Sequence, residues 1–276
     1  MPNVLTGPAQ YLARFDNQSI SCNPYALTKL GIDRTNCYLK IEKYVILCAP
    51  YQLGFKRSIF MASLSMQELG FFQKYVNGLA VLSLTLNLEK RTAPVKFYIH
   101  CTLKTIGQMK GQENVGLLIL DIKSCPDEMV SVMGRFMENQ ERTKTQYDDY
   151  GKSTIRMTPD TAKAMGYNLY ATITGSNPDV TRIQIYSISS KTVEHLEAEG
   201  APARPAGTPV NYQFFFRKYR VSVSGTITES SILPQGLVRT KSNLEYCPEL
   251  VEIIDDYWYN NRANSAYVPL REAFAN

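Results

Sequence analysis

At 276 residues and 44% hydrophobic, the chain is long enough to bury one or two cores of ordinary domain size. Its formal charge of +5 lies wholly within residues 1–138 and is too modest to mark a polyanion binder, while no dense basic stripe with interleaved aromatics points to DNA or RNA. No apolar run reaches the ~18–20 residues of a membrane span, and residues 1–18 lack the basic-then-apolar order of a secretory leader, so a cytoplasmic protein is expected.

In chain order, residues 37–48 predict two short strands around Glu42-Lys43, and Phe55 to Ser63 continues the alternation of apolar positions. Ser65 and Glu68 then form a capping box ahead of a helix that Gly78 is expected to end. Residues 79–88, 95–104 and 115–123 predict three more strands, spaced like those of a small antiparallel barrel. Pro126 opens a second helix, over 126–139, where a missing N–H costs least. Residues 139–154 are polar, carry both charges and show no apolar period, which predicts a linker between a first domain, 1–138, and a second, 155–262.

The second domain predicts strands at Leu169–Thr174, Arg182–Ile188, Val210–Phe216 and Tyr219–Ile227, with the Pro/Ala/Gly-rich loop 200–209 between the second and third. Residues 248–262 carry a helical apolar period and close the domain, leaving 263–276 as a loose tail. The fold class expected is mostly β with α+β elements: two small antiparallel β-barrels in tandem, a helix after each.

A catalytic constellation is missing from the sequence. There is no glycine-rich phosphate loop, HExxH or GxSxG, so the chain is not expected to be an enzyme or to hold a cofactor. His100 reads as an ordinary strand residue; with Cys101 and Thr102 it makes half of an HxT phosphoesterase pair, but His195 is followed by Leu196-Glu197 and supplies no second half. His195 itself lies in a polar run and is expected to face solvent. Asp148-Asp149 and Asp255-Asp256 read as solvated pairs, and the six cysteines form no CxxC, so reduced, mostly buried thiols are expected and no metal.

The order of segments in the second half, a polar stretch with Glu141-Arg142, a strand, residues 182–193, residues 207–228 and the closing helix, resembles the PilZ domain. Its position behind another barrel looks like the two-barrel PilZ proteins of spirochaetes. The resemblance spans roughly residues 140–260 and is one of layout more than of identities. In that family an RxxxR segment and a (D/N)xSxxG segment grip cyclic-di-GMP. Guanidinium forks pair bidentately with guanine edges and phosphate, and short polar residues let the barrel surface approach the base.

On this chain the first motif falls on Arg142 to Gln146, so the second arginine has become an amide. The second falls on Ser187 to Thr192: Ser189 keeps its place, Ser187 replaces the acidic or amide residue and Thr192 the glycine. A threonine would obstruct close approach and resist a positive φ, if the glycine serves for one. Lys144, Lys152, Arg156 and Arg182 are cations that could compensate in part, though a lysine supplies no planar fork. The first barrel is similar to the divergent N-terminal barrel beside PilZ domains and offers no transferable ligand motif. The resemblance implies a bacterial regulatory effector or adaptor in cyclic-di-GMP signalling, with weak or lost nucleotide binding and a protein partner such as flagellar or other motility machinery. The alternative is a nucleic-acid-binding barrel using the basic first half and Arg217-Lys218-Arg220.

Overall fold

The computed structural model describes residues 7–88, 91–175, 179–217 and 220–265, with the side chains of 261–265 left out. The chain divides into two compact units between Asn139 and Gln140.

The first unit begins with α1 (Pro8–Phe15), β1 (Ser19–Ser21) and α2 (Pro24–Leu30), then β2 (Tyr38–Ile41) and β3 (Tyr44–Leu47) around a left-handed Glu42. There follow β4 (Ala49–Gly54), β5 (Arg57–Ser63), α3 (Met66–Phe72), β6 (Leu79–Leu86), β7 (Val95–Gln108) and β8 (Val115–Ile122). All eight strands join one antiparallel sheet in the order β1-β4-β5-β8-β7-β6-β2-β3. Alternation does the sorting, since Leu39 and Ile41, Leu82 and Leu84, Phe97 and Ile99, and Leu118 and Leu120 all turn to one buried core. The Ser65–Glu68 capping box forms, with the Glu68 carboxylate accepting from the Ser65 amide at 2.8 Å. The end of this helix differs from the expected one. A 3-10 turn over Gln73–Tyr75 follows Phe72, and the left-handed residue is Asn77, not Gly78. Gly78 is required for another reason: a Cβ there would stand 2.8 Å from the Tyr75 carbonyl oxygen.

The next helix, α4 (Asp127–Tyr150), runs through the stretch whose polarity predicts a linker. The stretch is helical to Tyr150, and an apolar period is not what holds it: the polar side chains on one face are spent on packing and hydrogen bonds. Thr143 is buried, and the hydroxyls of Tyr147 and Tyr150 are bonded within the second unit.

The second unit continues with β9 (Ile155–Arg156), α5 (Pro159–Met165), β10 (Tyr167–Thr174), β11 (Val180–Ile188), β12 (Thr192–Glu197), β13 (Pro209–Phe216), β14 (Arg220–Ile232), β15 (Val238–Leu244) and α6 (Pro248–Ser265). Six strands close a barrel in the order β10-β13-β14-β15-β12-β11, with β10 pairing back to β11 and β9 added outside β11. Strands β12 and β15 were outside the sequence expectation. Both alternate, but with His, Glu, Thr and Ser among the inward positions, which hides the period. Tyr212, Phe214, Val193 and Ile173 fill the interior, and Leu250, Ile253 and Ile254 of α6 pack against it. Of the expected loose tail, 263–265 continue α6, and the remainder lies outside the described residues, as do Tyr219 and Lys218.

Among the described residues no helix is long and apolar enough to cross a membrane. None of the six cysteines is in a disulfide, and Cys37, Cys48, Cys101 and Cys247 are buried.

Candidate functional site

The first candidate segment sits on the last two turns of α4. Helical spacing puts Thr143, Gln146, Tyr147 and Tyr150 on the face that packs, and turns Arg142 and Lys144 outward, where both are exposed. The Thr143 hydroxyl shares a 2.9 Å hydrogen bond with the Tyr246 hydroxyl, Tyr147 donates to the Leu244 carbonyl at 3.0 Å, and Tyr150 donates to Asp255 at 2.5 Å. Gln146 is half-buried on this face, and its side-chain carbonyl oxygen is buried without a hydrogen-bond partner.

The second candidate segment is the hairpin from β11 to β12, where Ser187, Ser189 and Thr192 come together. Ser189 is fully buried, and its hydroxyl accepts from the amides of Lys191 at 3.2 Å and Thr192 at 2.9 Å while sharing a 2.9 Å bond with the Thr192 hydroxyl. This is a side-chain-closed turn that a serine forms readily. Thr192 is not among the residues with positive φ; it pairs with Asn243 in the ladder, so the glycine-only conformation considered from the sequence is not used here. The Ser187 hydroxyl donates to Glu194 at 3.2 Å, and Glu194 also receives the Arg239 guanidinium at 2.5 Å. Burial pushes the Glu194 carboxyl up, and the Arg239 hydrogen bond and charge more than reverse this, leaving it below its ordinary value.

The two segments meet through residues that the motif reading did not single out. Ser190 donates to the Tyr147 carbonyl at 2.6 Å, and the Lys191 ammonium pairs with Asp148 at 2.5 Å while lying 5.0 Å from the centre of the Tyr147 ring. The Lys191 hydrogen bond and charge hold the exposed Asp148 carboxyl below its usual range. Beside Ser187, the guanidiniums of Arg156 and Arg239 lie 5.3 and 5.1 Å from the Tyr186 ring. Arg156 is the Cα partner of Ser187 in the β9–β11 pairing, which brings this compensating cation named from sequence to the motif. Arg182 lies five residues before Ser187 on β11, roughly 16 Å away along the strand, with its guanidinium 5.2 Å from the Tyr170 ring. Lys152 pairs with Asp149 at 2.8 Å.

His195 is not solvent-facing. It is fully buried, inside a chain of polar groups that runs from Ser242 through Tyr212, His195 and Glu197 to Arg204. The Tyr212 and Ser242 hydroxyls share a 2.6 Å bond, and the Tyr212 hydroxyl lies 3.5 Å from His195 Nδ1. His195 Nε2 lies 3.4 Å from Glu197 Oε1. Since a carboxylate only accepts, the Nε2 nitrogen carries the proton. Arg204 grips the same carboxylate with both Nε, at 3.1 Å, and Nη2, at 2.9 Å. Burial alone would raise the Glu197 carboxyl, but hydrogen bonds from His195 and Arg204 bring it down to about 2. The period-two phase of Val193, His195 and Glu197 was the sequence signal for this inward placement. His100, by contrast, is exposed on β7. Among the described residues no group of three or more His, Cys, Asp or Glu side chains is placed to hold a metal ion.

Residues 9–140 match the PilZN3 domain family. No curated protein matches the chain. Among solved structures, the chain is similar to the Borreliella burgdorferi PlzA protein in complex with c-di-GMP, at 15% identity, covering 91% of this chain and 97% of that one, with a TM-score of 0.43. It is also similar to YcgR from Escherichia coli in complex with c-di-GMP (12% identity, 90% and 96% covered, TM-score 0.30) and to the Bacillus subtilis inhibitor of motility MotI/DgrA (9%, 86% and 100%, TM-score 0.31).

Proposed function

We propose that the chain, whose residues 9–140 match the PilZN3 domain family, is a non-enzymatic effector or adaptor in cyclic-di-GMP signalling whose nucleotide grip is weak or lost. It acts in the cytoplasm by contact with a protein partner, of which motility machinery is the kind the PilZ resemblance implies. The observation that carries this reading is the state of the Ser187–Thr192 turn. The one motif residue kept there, Ser189, is fully buried and spends its hydroxyl on Lys191 and Thr192. The flanking Ser190 and Lys191 are engaged by Tyr147 and Asp148 of α4. Where the family's second arginine would present a charged fork, Gln146 presents an amide.

The guanidiniums of Arg156 and Arg239 flank Tyr186 beside Ser187 and offer a residual anion contact, though Arg239 is already paired with Glu194. The test is calorimetric titration with cyclic-di-GMP, with GTP and cyclic-di-AMP as controls. Weak or undetectable heat with cyclic-di-GMP supports an adaptor working by protein contact. Submicromolar binding specific to cyclic-di-GMP would overturn the claim that the grip is lost.

A further inference from the structure

A cavity of about 520 Å³ opens in the second unit, away from the Ser187–Thr192 turn. It exists because the barrel wall is incomplete there. Strand β10 pairs with β11 only from Ala171 to Thr174, and its register against β13 shifts between Tyr167 and Ala171. Within that shift Leu169 takes a φ of 56° and leaves 57% of its surface exposed. A leucine in the left-handed region is strained, and such outliers and bulges collect at sites of function. Higher on β11, Ser187 and Ile188 pair with β9 instead, so the stretch between has no β10 neighbour.

The lining is mostly apolar, with Met157, Leu169, Ile183, Ile185, Leu196 and Leu237. Polar side chains interrupt it at Thr158, Gln184 and three further positions. Tyr167 lines the cavity with a buried hydroxyl that has no hydrogen-bond partner, although its residue is only 7% exposed. Arg182 lines the same space with its guanidinium fixed over the Tyr170 ring. Burial raises the Tyr167 phenol and the Arg182 charge acts against that rise, and both residues line the one cavity. Glu197 is the third, and its charge is already met by Arg204 and His195.

We propose that this cavity is a binding site for a small apolar carboxylate, its body on the aliphatic lining and its head on the Arg182 guanidinium and the Tyr167 hydroxyl. The size falls in the roughly 300–1,000 Å³ of ordinary small-molecule pockets, and an apolar wall with a few placed polar groups is their usual make-up. A monoanion fits better than a phosphate dianion, because one cation and one neutral donor balance one charge and Glu197 stands nearby. The site is separate from the nucleotide surface considered above.

Decanoate is the probe and decanol its neutral control, each titrated calorimetrically into the full-length protein. Decanoate is expected to bind more tightly than decanol. Arg182→Met and Tyr167→Phe should each weaken decanoate by about tenfold to a hundredfold, the range for a hydrogen bond to a charged group, and leave decanol unchanged. Tyr167→Phe also separates a binding role from a structural one. Its hydroxyl has no partner in the protein, so the variant should melt at or above the parent temperature while losing decanoate. Equal binding of decanoate and decanol, decanoate affinity unmoved in both variants, or no binding by the folded parent at millimolar probe would each overturn the proposal.

Discussion

The Ser190 hydroxyl donates to the Tyr147 carbonyl at 2.6 Å, and the Gly151 amide donates to the same oxygen at 3.1 Å. One acceptor thus ends α4 and ties it to the β11–β12 turn, which is how a polar, aperiodic segment stays helical to Tyr150.

From this follows a ranking of two substitutions. Ser190→Ala removes one of two donors to that carbonyl and should cost about 0.5–1.5 kcal/mol, since Gly151 still satisfies the oxygen. Lys191→Met removes an ion pair whose side chains are 40% and 67% exposed, and such pairs contribute only about 0–1 kcal/mol. Urea unfolding should therefore rank Ser190→Ala as the more damaging of the two, with faster amide exchange confined to the end of α4. The reverse ranking would mean that the Lys191–Asp148 pair, not the hydroxyl, holds the helix to the turn.

Restoring the motif should succeed at one position and fail at another. Gln146→Arg places a charged fork where a buried acceptor now has no partner, and it should tighten cyclic-di-GMP about tenfold to a hundredfold. Ser187→Asp meets a different fate, because the Ser187 hydroxyl is a donor to Glu194 at 3.2 Å. A second carboxylate there repels the first, so the substitution should lower stability and bring no affinity unless Glu194→Gln accompanies it. Calorimetry and thermal unfolding on the three variants check this. A gain in affinity from Ser187→Asp alone would show that the Glu194 contact does not govern the site.

The sequence resolved what rests on period and turn chemistry. Alternation found β6, β7 and β8, and the Ser65–Glu68 pair found the start of α3, because both signals are local. It failed where polar residues do the packing. Tyr147 and Tyr150 hold the end of α4 through their hydroxyls, and His195, Glu197, Thr240 and Ser242 turn inward on β12 and β15, so an apolar count misses the second half of α4 and both strands. For the site, sequence placed Ser187, Ser189 and Thr192 in one hairpin. It could not show that Ser189 is consumed by its own turn, or that Arg239 reaches Glu194 from 45 residues away.

The buried Glu197 makes stability depend on acid in a set direction. Its folded pKa, about 2, lies below its ordinary 4.5, so the native state gains from its ionisation above pH 4.5 and loses that gain as pH falls toward 2. At pH 7, Glu197→Gln leaves Arg204 without its bidentate partner and should cost about 3–5 kcal/mol. The gap between parent and variant should then narrow between pH 4.5 and 2, by an amount on the order of 3 kcal/mol. Denaturant unfolding at three pH values reads this, and a gap that stays constant would show that Glu197 titrates normally in the fold.

The last prediction concerns Gly134, inside α4, where helix propensity favours alanine by about 1 kcal/mol. In this protein the sign should reverse. A Cβ on Gly134 would lie 2.2 Å from Cγ of Tyr11 and 2.6 Å from its Cβ, so the ring of α1 occupies the space. Tyr11 cannot step aside freely, since it is stacked on Phe15 and donates to Glu138, which also holds Arg14 at 3.1 Å. Overpacking of this kind costs about 1–3 kcal/mol, more than the propensity gain, so Gly134→Ala should lower the melting temperature. Pairing it with Tyr11→Ala removes the obstructing ring, and in that background Gly134→Ala should become neutral or stabilising. If Gly134→Ala stabilises the parent outright, α1 does not pack on α4 in this way.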